Sequence, residues 1–266
     1  MVSTHPPIND SSLFESVTQA QTSRWKVLFS FSLLTLSNSW LWITYSPIEA
    51  KVAELWDVST SHINSLSTVF MFTYVLFGFP ALWLLDRVGL RSGLLLGGFL
   101  NFIGSLLRVF GTLPNLQGFI FSYIGSFLAA LGQLFTLAIP PLLATSWFGP
   151  NERSTASAVG VVANQCGTAL GLGITGLVVK STKTDLFSYL CIQAGFAGLA
   201  LIFIGIFVQD FPLNLPSVAS RSSHASHTSH DFAVEVTPKT SWKSYSITVT
   251  SLLGNQAILL LAIAYG

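Results

Sequence analysis

Asn38, Trp42, Tyr45 and Glu49 are separated by four, three and four residues, so on a helix they share one face. That stripe carries an amide, two aromatic rings and a carboxylate. An indole face attracts a cation without the desolvation penalty of a carboxylate, so Trp42 turned toward a central cavity would suit a quaternary ammonium. Trp42 and Tyr45 equally suit the aromatic belt at a membrane interface, and both placements stay open. A second group lies at Asn164 and Gln165 with Thr168, beside a strip of Gly160, Gly167 and Gly171. The glycines permit close helix packing. The two amides are costly in hydrocarbon unless they face a partner or a wet cavity, and Gln133 is a weaker case of the same kind.

A third group is the run Trp83-Leu84-Leu85-Asp86-Arg87-Val88-Gly89-Leu90-Arg91. Gly89 permits a left-handed turn, Asp86 can accept hydrogen bonds from a following helix amino terminus, and Arg91 can pair with a nearby carboxylate or carbonyl. A charged loop snorkelling at a membrane surface produces the same composition. Cys166 and Cys191 fall inside apolar runs and read as packing residues, not as a disulfide or a metal pair. His224, His227 and His230 stand three apart among serines and are assigned to a solvated segment. No cofactor and no metal site is implied, and no nucleophile with a base points to an enzyme.

The elements that must position these residues follow from composition. The 266 residues are 51% hydrophobic and only 9% charged, far below the roughly one quarter of a soluble chain. Apolar runs at 27–48, 63–85, 154–179, 186–209 and 244–266 contain no Asp, Glu, Lys or Arg, and each meets the ~20 residues needed to cross a bilayer. The stretch 92–151 holds two more: a third helix ending near Phe110, the turn Thr112-Leu113-Pro114-Asn115, and a fourth from about Gln117 to Leu143, where Pro140-Pro141 should distort or end it. The fold class is therefore all-α integral membrane.

Charge sets the orientation. Arg24, Lys26, Arg87, Arg91, Arg153, Arg221, Lys239 and Lys243 alternate along the chain with the sparser Lys51, Arg108, Lys180 and Lys183. The richer side is expected to be cytoplasmic, with the amino terminus on it. Residues 1–25 form a polar, disordered cytoplasmic terminus without the apolar core of a signal peptide. A six-helix transmembrane bundle at 26–210 comes next. The segment 211–243, rich in Ser, Thr, Pro and His, is a cytoplasmic linker, and 244–266 starts a second bundle. The chain stops at Gly266 inside that seventh span, so a fragment or a truncated gene model is expected, with the missing carboxy-terminal half in cis. No residue able to relay protons stands mid-span, which favours facilitated movement or coupling housed elsewhere. With a net charge of +1 and no basic stripe, no nucleic-acid partner is expected; the partners are the lipid bilayer and a small-molecule substrate.

Six spans, a cytoplasmic linker and a seventh span resemble the amino-terminal half of a major facilitator transporter, and the Trp83–Arg91 run resembles the motif that locks such proteins on the cytoplasmic side. It departs at Leu82, where glycine is usual, and at Leu90, where a basic residue is usual. Within that superfamily the chain resembles the feline leukaemia virus subgroup C receptor-related family. The likeness rests on Asn38-Ser39-Trp40-Leu41-Trp42-Ile43-Thr44-Tyr45, on Trp83 to Arg91, on Trp147-Phe148-Gly149-Pro150-Asn151-Glu152 with Ser154-Thr155-Ala156, and on Asn164-Gln165 with Gly167 and Gly171. It implies transport of choline-like cations, with haem export also ascribed to the family, in a multi-pass protein of the plasma membrane or an organelle membrane. By position, Trp42 matches the family's cation-cage tryptophan, Gln165 its cavity glutamine, and Tyr265 the aromatic of helix 7. Gln165, Trp42, Asn38, Asn164, Tyr45 and Tyr265 form the expected substrate site; Asp86, Gly89 and Arg91 form the expected conformational gate. Ala163, where the family often has glycine, and Ser46-Pro47-Ile48-Glu49 depart from the pattern. A half-transporter acting as a receptor, scaffold or regulatory partner is the alternative from another class.

Overall fold

A computed structural model describes residues 10–180 and 183–209 and positions 245, 246 and 250, with side chains from Ser23 onward. Six α-helices run in the order α1 (Asp10–Ile43), α2 (Glu49–Trp56), α3 (Thr60–Val109), α4 (Asn115–Trp147), α5 (Arg153–Val178) and α6 (Lys183–Phe207). All but α2 are long and apolar enough to cross a membrane. The 50-residue α3 holds two crossings, because Gly89 interrupts it with φ 82° and ψ 173°, a conformation open essentially only to glycine. Its limbs, 60–88 and 90–109, rise roughly 43 Å and 30 Å, each enough for the hydrocarbon core. The described residues thus contain the six expected spans. The linker 211–243 and nearly all of the expected seventh span lie outside them.

Two boundaries and one added element differ from expectation. Helix α1 starts at Asp10, so residues 10–25 are helical where a disordered terminus was expected; no Gly or Pro occurs between Ile8 and Ser46 to stop a helix growing outward from the apolar run. Helix α4 continues past Pro140 and Pro141 to Trp147. The two missing N–H groups weaken the ladder there, but Leu143, Ala144 and Trp147 beyond them are buried at 0–2% exposure, and that packing holds the last turns. Between the first two spans, α2 appears as a short amphipathic helix that buries Val52, Ala53 and Trp56, ending on Asp57 in the left-handed region.

Helix α1 is central, packing against α3, α4, α5 and α6. Its contacts run in register. Asn38 meets α4 at Ala129 and Tyr45 meets it at Ser122, an antiparallel pairing; Thr35 meets Asn164 and Arg24 meets Glu152, a parallel pairing with α5. The second limb of α3 and α4 form an antiparallel hairpin with glycine every seventh residue, at Gly97, Gly104 and Gly111 and then Gly118, Gly125 and Gly132. Gly97 faces Gly132 and Gly104 faces Gly125, and a Cβ built on Gly104 would lie 2.5 Å from the Gly125 carbonyl oxygen. Only glycine lets these backbones approach so closely.

The core is stacked in levels. Phe31, Leu85, Leu90, Leu143, Trp147 and Phe148 pack at the Gly89 end, Leu41, Phe70 and Ala129 at mid-height, and Tyr45, Trp56, Ile63, Leu186 and Tyr189 at the α2 end. Large apolar side chains such as Phe72, Val75, Leu177 and Ile206 are mostly exposed on the outside, as expected for a surface solvated by lipid.

Candidate functional site

The central helix brings its polar residues into contact with three neighbours. Asn38, 1% exposed, donates from Nδ2 to Asn101 Oδ1 at 3.0 Å and to the Ala129 carbonyl at 2.9 Å. Asn101 donates in turn to Ser37 Oγ at 3.1 Å. This amide chain joins α1, α3 and α4 at mid-height and is satisfied within the protein, as buried polar groups in hydrocarbon must be.

Trp42 is half-buried. Its indole N–H donates to the Ser67 carbonyl at 3.1 Å, while Ser67 Oγ donates back to the Trp42 carbonyl at 3.1 Å. This reciprocal pair fixes the ring between α1 and the first limb of α3. Tyr45, 2% exposed, is one turn further along: its hydroxyl donates to Ser122 Oγ at 3.0 Å and its ring lies 4.5 Å from the Arg108 guanidinium carbon. Tyr45 also stacks edge-on against Trp56, whose indole N–H donates to the Gly111 carbonyl at 2.7 Å.

Arg108 stands apart from the sequence expectation. Its charge counted among those of the loops, yet the side chain is 0% exposed inside the bundle. Nη1 donates to the Leu41 carbonyl at 2.7 Å, and Nε reaches the Tyr45 hydroxyl at 3.5 Å. Leu41 lies in the last turn of α1 and Arg108 in the last turn of α3, so the cation sits where two helix dipoles end negative. The Tyr45 ring supplies a further attraction. Those contacts hold a buried cation without a carboxylate bridge among the described residues.

On α5, Asn164 is half-buried against α1, donating from Nδ2 to Thr35 Oγ1 at 3.3 Å and accepting Ser39 Oγ at its carbonyl at 2.7 Å. Gln165, the next residue, is exposed, and its amide makes no hydrogen bond among the described residues. The parallel α1–α5 register sets Gln165 level with Ser37, about 7 Å along the axis from Trp42. Two amides that sequence reasoning passed over, Asn101 and Gln193, are both buried. Gln193 donates to Thr44 Oγ1 at 2.8 Å, beside a chain in which Trp40 donates to the Tyr189 hydroxyl at 2.6 Å and Tyr189 meets Thr175. An amide in a membrane span needs a partner, and by that rule Asn101 and Gln193 belong with Asn164 and Gln165.

At the other end Gly89 makes the turn between the two limbs, with Asp86 and Arg91 exposed. Arg91 Nη2 reaches the Gly205 carbonyl of α6 at 3.5 Å, and the Arg87 guanidinium lies 4.3 Å from the Trp83 ring. Nearby, Arg24 bridges to Glu152 through two hydrogen bonds of 2.6 and 3.2 Å and stacks near Trp25 and Phe148. Tyr265 lies outside the described residues.

Comparison with known proteins places this bundle. The sequence pattern of the Major Facilitator Superfamily matches residues 27–266. The chain is 33% identical over 257 residues to the choline/ethanolamine transporter flvcr2a of Danio rerio, covering 94% of this chain and 52% of the relative. It is 35% identical over 256 residues to the choline/ethanolamine transporter FLVCR1 of Mus musculus, covering 91% and 44%, and 33% identical over 257 residues to FLVCR2 of Homo sapiens, covering 94% and 46%. The chain spans about half the length of these curated relatives. With six membrane-length segments in order, the break at Gly89 and a match reaching from the first span to the last residue, this chain belongs to the major facilitator superfamily, among relatives of the feline leukaemia virus subgroup C receptor kind.

Proposed function

We propose that this chain forms the amino-terminal half of a transporter that moves choline or a related organic cation by alternating access, with its amino terminus in the cytoplasm. The observation that carries the reading is the likeness, along nearly the whole chain, to proteins named choline/ethanolamine transporters. The site chemistry supports it. Trp42 offers an aromatic face in a ring fixed by Ser67, and Gln165 offers an amide with no intraprotein bond among the described residues. Such a pair can hold a cationic head by its quadrupole and a hydroxyl or amine by hydrogen bonding.

In this reading Asn38 and Asn164 hold the helices that carry the two ligand groups, and Tyr45 sets the end of α1. The gate comprises Asp86, Gly89 and Arg91, whose turn breaks and remakes contacts with the second half as the two rock against each other. The test is uptake of labelled choline by cells expressing a full-length reading frame that contains this sequence. Saturable uptake lost in Trp42→Ala and Gln165→Ala at normal surface expression is the expected result. Uptake unchanged in both variants would sink the site assignment, and no uptake by the parent protein would sink the substrate.

A further inference from the structure

The α2 end of the bundle contains a cavity of about 670 Å³ that the transport reading does not use. Three lysines reach it from three separate elements: Lys51 from α2, Lys180 just beyond α5 and Lys183 at the start of α6. Glu54 is the single carboxylate among the lining residues. Lys51 is held in place, because its Nζ donates to the Val179 carbonyl at 2.6 Å, which leaves two ammonium protons for another acceptor. Helix α4 starts beside the cavity at Asn115 after Pro114, with no side-chain cap, adding the positive end of a 33-residue helix. Val52, Leu55 and Leu186 provide an apolar wall.

Like charges from three elements repel one another, and of the three only Lys51 has a hydrogen-bond partner for its ammonium among the described residues. A bound anion would offset the repulsion. We propose that this cavity binds a phosphate group, either that of a soluble phosphorylated molecule or that of a lipid headgroup whose apolar portion rests on Val52, Leu55 and Leu186. Ammonium groups are compact point charges that suit phosphate oxygens, and the cavity lies where the spans end, at the level where headgroups and water meet. The inference does not depend on what the transporter carries.

The experiment uses the purified protein in a maltoside detergent, which carries no phosphate, either alone or with phosphatidylglycerol and a phosphate-free glycolipid added in equal amounts. Inorganic phosphate is titrated against thermal stability in the first, and retained lipid is counted by native mass spectrometry in the second. Saturable stabilisation by phosphate identifies a soluble source; selective retention of phosphatidylglycerol identifies a lipid source. Whichever signal appears should weaken about tenfold in Lys51→Gln/Lys180→Gln/Lys183→Gln, which removes three partly exposed positive charges together. Glu54→Gln should tighten it about threefold by removing the one opposing charge. All four positions are exposed, so the fold should survive, with an unchanged helical circular-dichroism spectrum as the check. Absence of both signals, a triple variant that binds like the parent, or a Glu54→Gln variant that binds no tighter overturns the proposal.

Discussion

Asn38 and Asn101 are hydrogen-bonded side chain to side chain at 3.0 Å in the middle of the bundle, both at most 1% exposed. Their pairing decides how α1 seats against the α3–α4 hairpin, since Asn38 also reaches the Ala129 carbonyl and Asn101 also reaches Ser37. Interhelical bonds of this sort contribute about 0.6 kcal/mol each, up to about 1.7, because the membrane-unfolded chain finds other partners. Asn101→Ala should therefore destabilise the bundle by about 1 kcal/mol. A cycle with Asn38→Ala should give a coupling of about 0.5–1.5 kcal/mol in denaturant unfolding from micelles. Strictly additive effects would show that the two amides do not act together.

The glycine ladder makes a sharper demand. At Gly104 an added methyl would sit 2.5 Å from the Gly125 carbonyl oxygen and 2.9 Å from the Ala129 nitrogen, and backbone cannot swing aside as a side chain can. Gly104→Ala should push α3 from α4 and lower stability by about 2 kcal/mol or more. At Gly173, inside α5, an added methyl would meet nothing within 4 Å. Gly173→Ala should be neutral or stabilise by up to about 1 kcal/mol through helix propensity. Thermal unfolding of the two variants in the same detergent separates them; equal losses would mean that propensity, not contact, governs both.

The spans were legible because bilayer thickness and backbone hydrogen bonding leave few ways to arrange long apolar runs, and Gly89 was legible as a turn because Asp86, Arg87 and Arg91 crowd charge around it between two apolar runs. Helix α2 was not, since eight residues mixing Glu49, Lys51 and Glu54 with Val52 and Trp56 carry too little periodic signal; packing of Trp56 against Gly111 and Tyr45 makes the helix. Arg108 was misread for a related reason. A charge near a helix end looks like a loop residue in sequence, and only the tertiary structure shows α1 ending beside it with carbonyls to receive it. The polar stripe does not lie on one helix: Asn38 and Trp42 are on α1, Tyr45 lies just past its end and Glu49 begins α2, and sequence did not tell which members face protein. Asn38 and Tyr45 bond inward to α3 and α4, whereas Gln165 on α5 is exposed.

Arg108 and Tyr45 permit a graded test. Tyr45→Phe keeps the ring beneath the guanidinium and removes the hydroxyl that donates to Ser122 and accepts the long bond from Arg108 Nε, an expected loss of about 1 kcal/mol. Arg108→Lys keeps the charge but loses the planar fork that reaches the Leu41 carbonyl while lying over the ring, and should lose about 2–3 kcal/mol. Stability measured for both should rank them in that order. The reverse order would mean that the Tyr45–Ser122 bond, not the cation, fixes the end of α1.

Arg24 and Glu152 tie the first helix to the entry of the fifth, and their exposures of 15% and 43% limit what the pair adds to stability. Arg24→Gln should cost no more than about 1 kcal/mol after screening by solvent. Arg24→Glu should cost more, and Glu152→Arg in the same chain should restore most of the loss. Geometry matters more than energy at this contact, because the parallel α1–α5 register runs from Arg24–Glu152 to Thr35–Asn164, making the two helices one body. If transport proceeds by rocking of halves, that body moves as a unit. Cysteines placed at 24 and 152, in a background lacking Cys166 and Cys191, should then be bridged by a short bifunctional reagent with no loss of choline uptake. Uptake abolished by the bridge and recovered on its cleavage would show instead that α1 and α5 separate during the cycle, and would overturn rigid-half rocking for this protein.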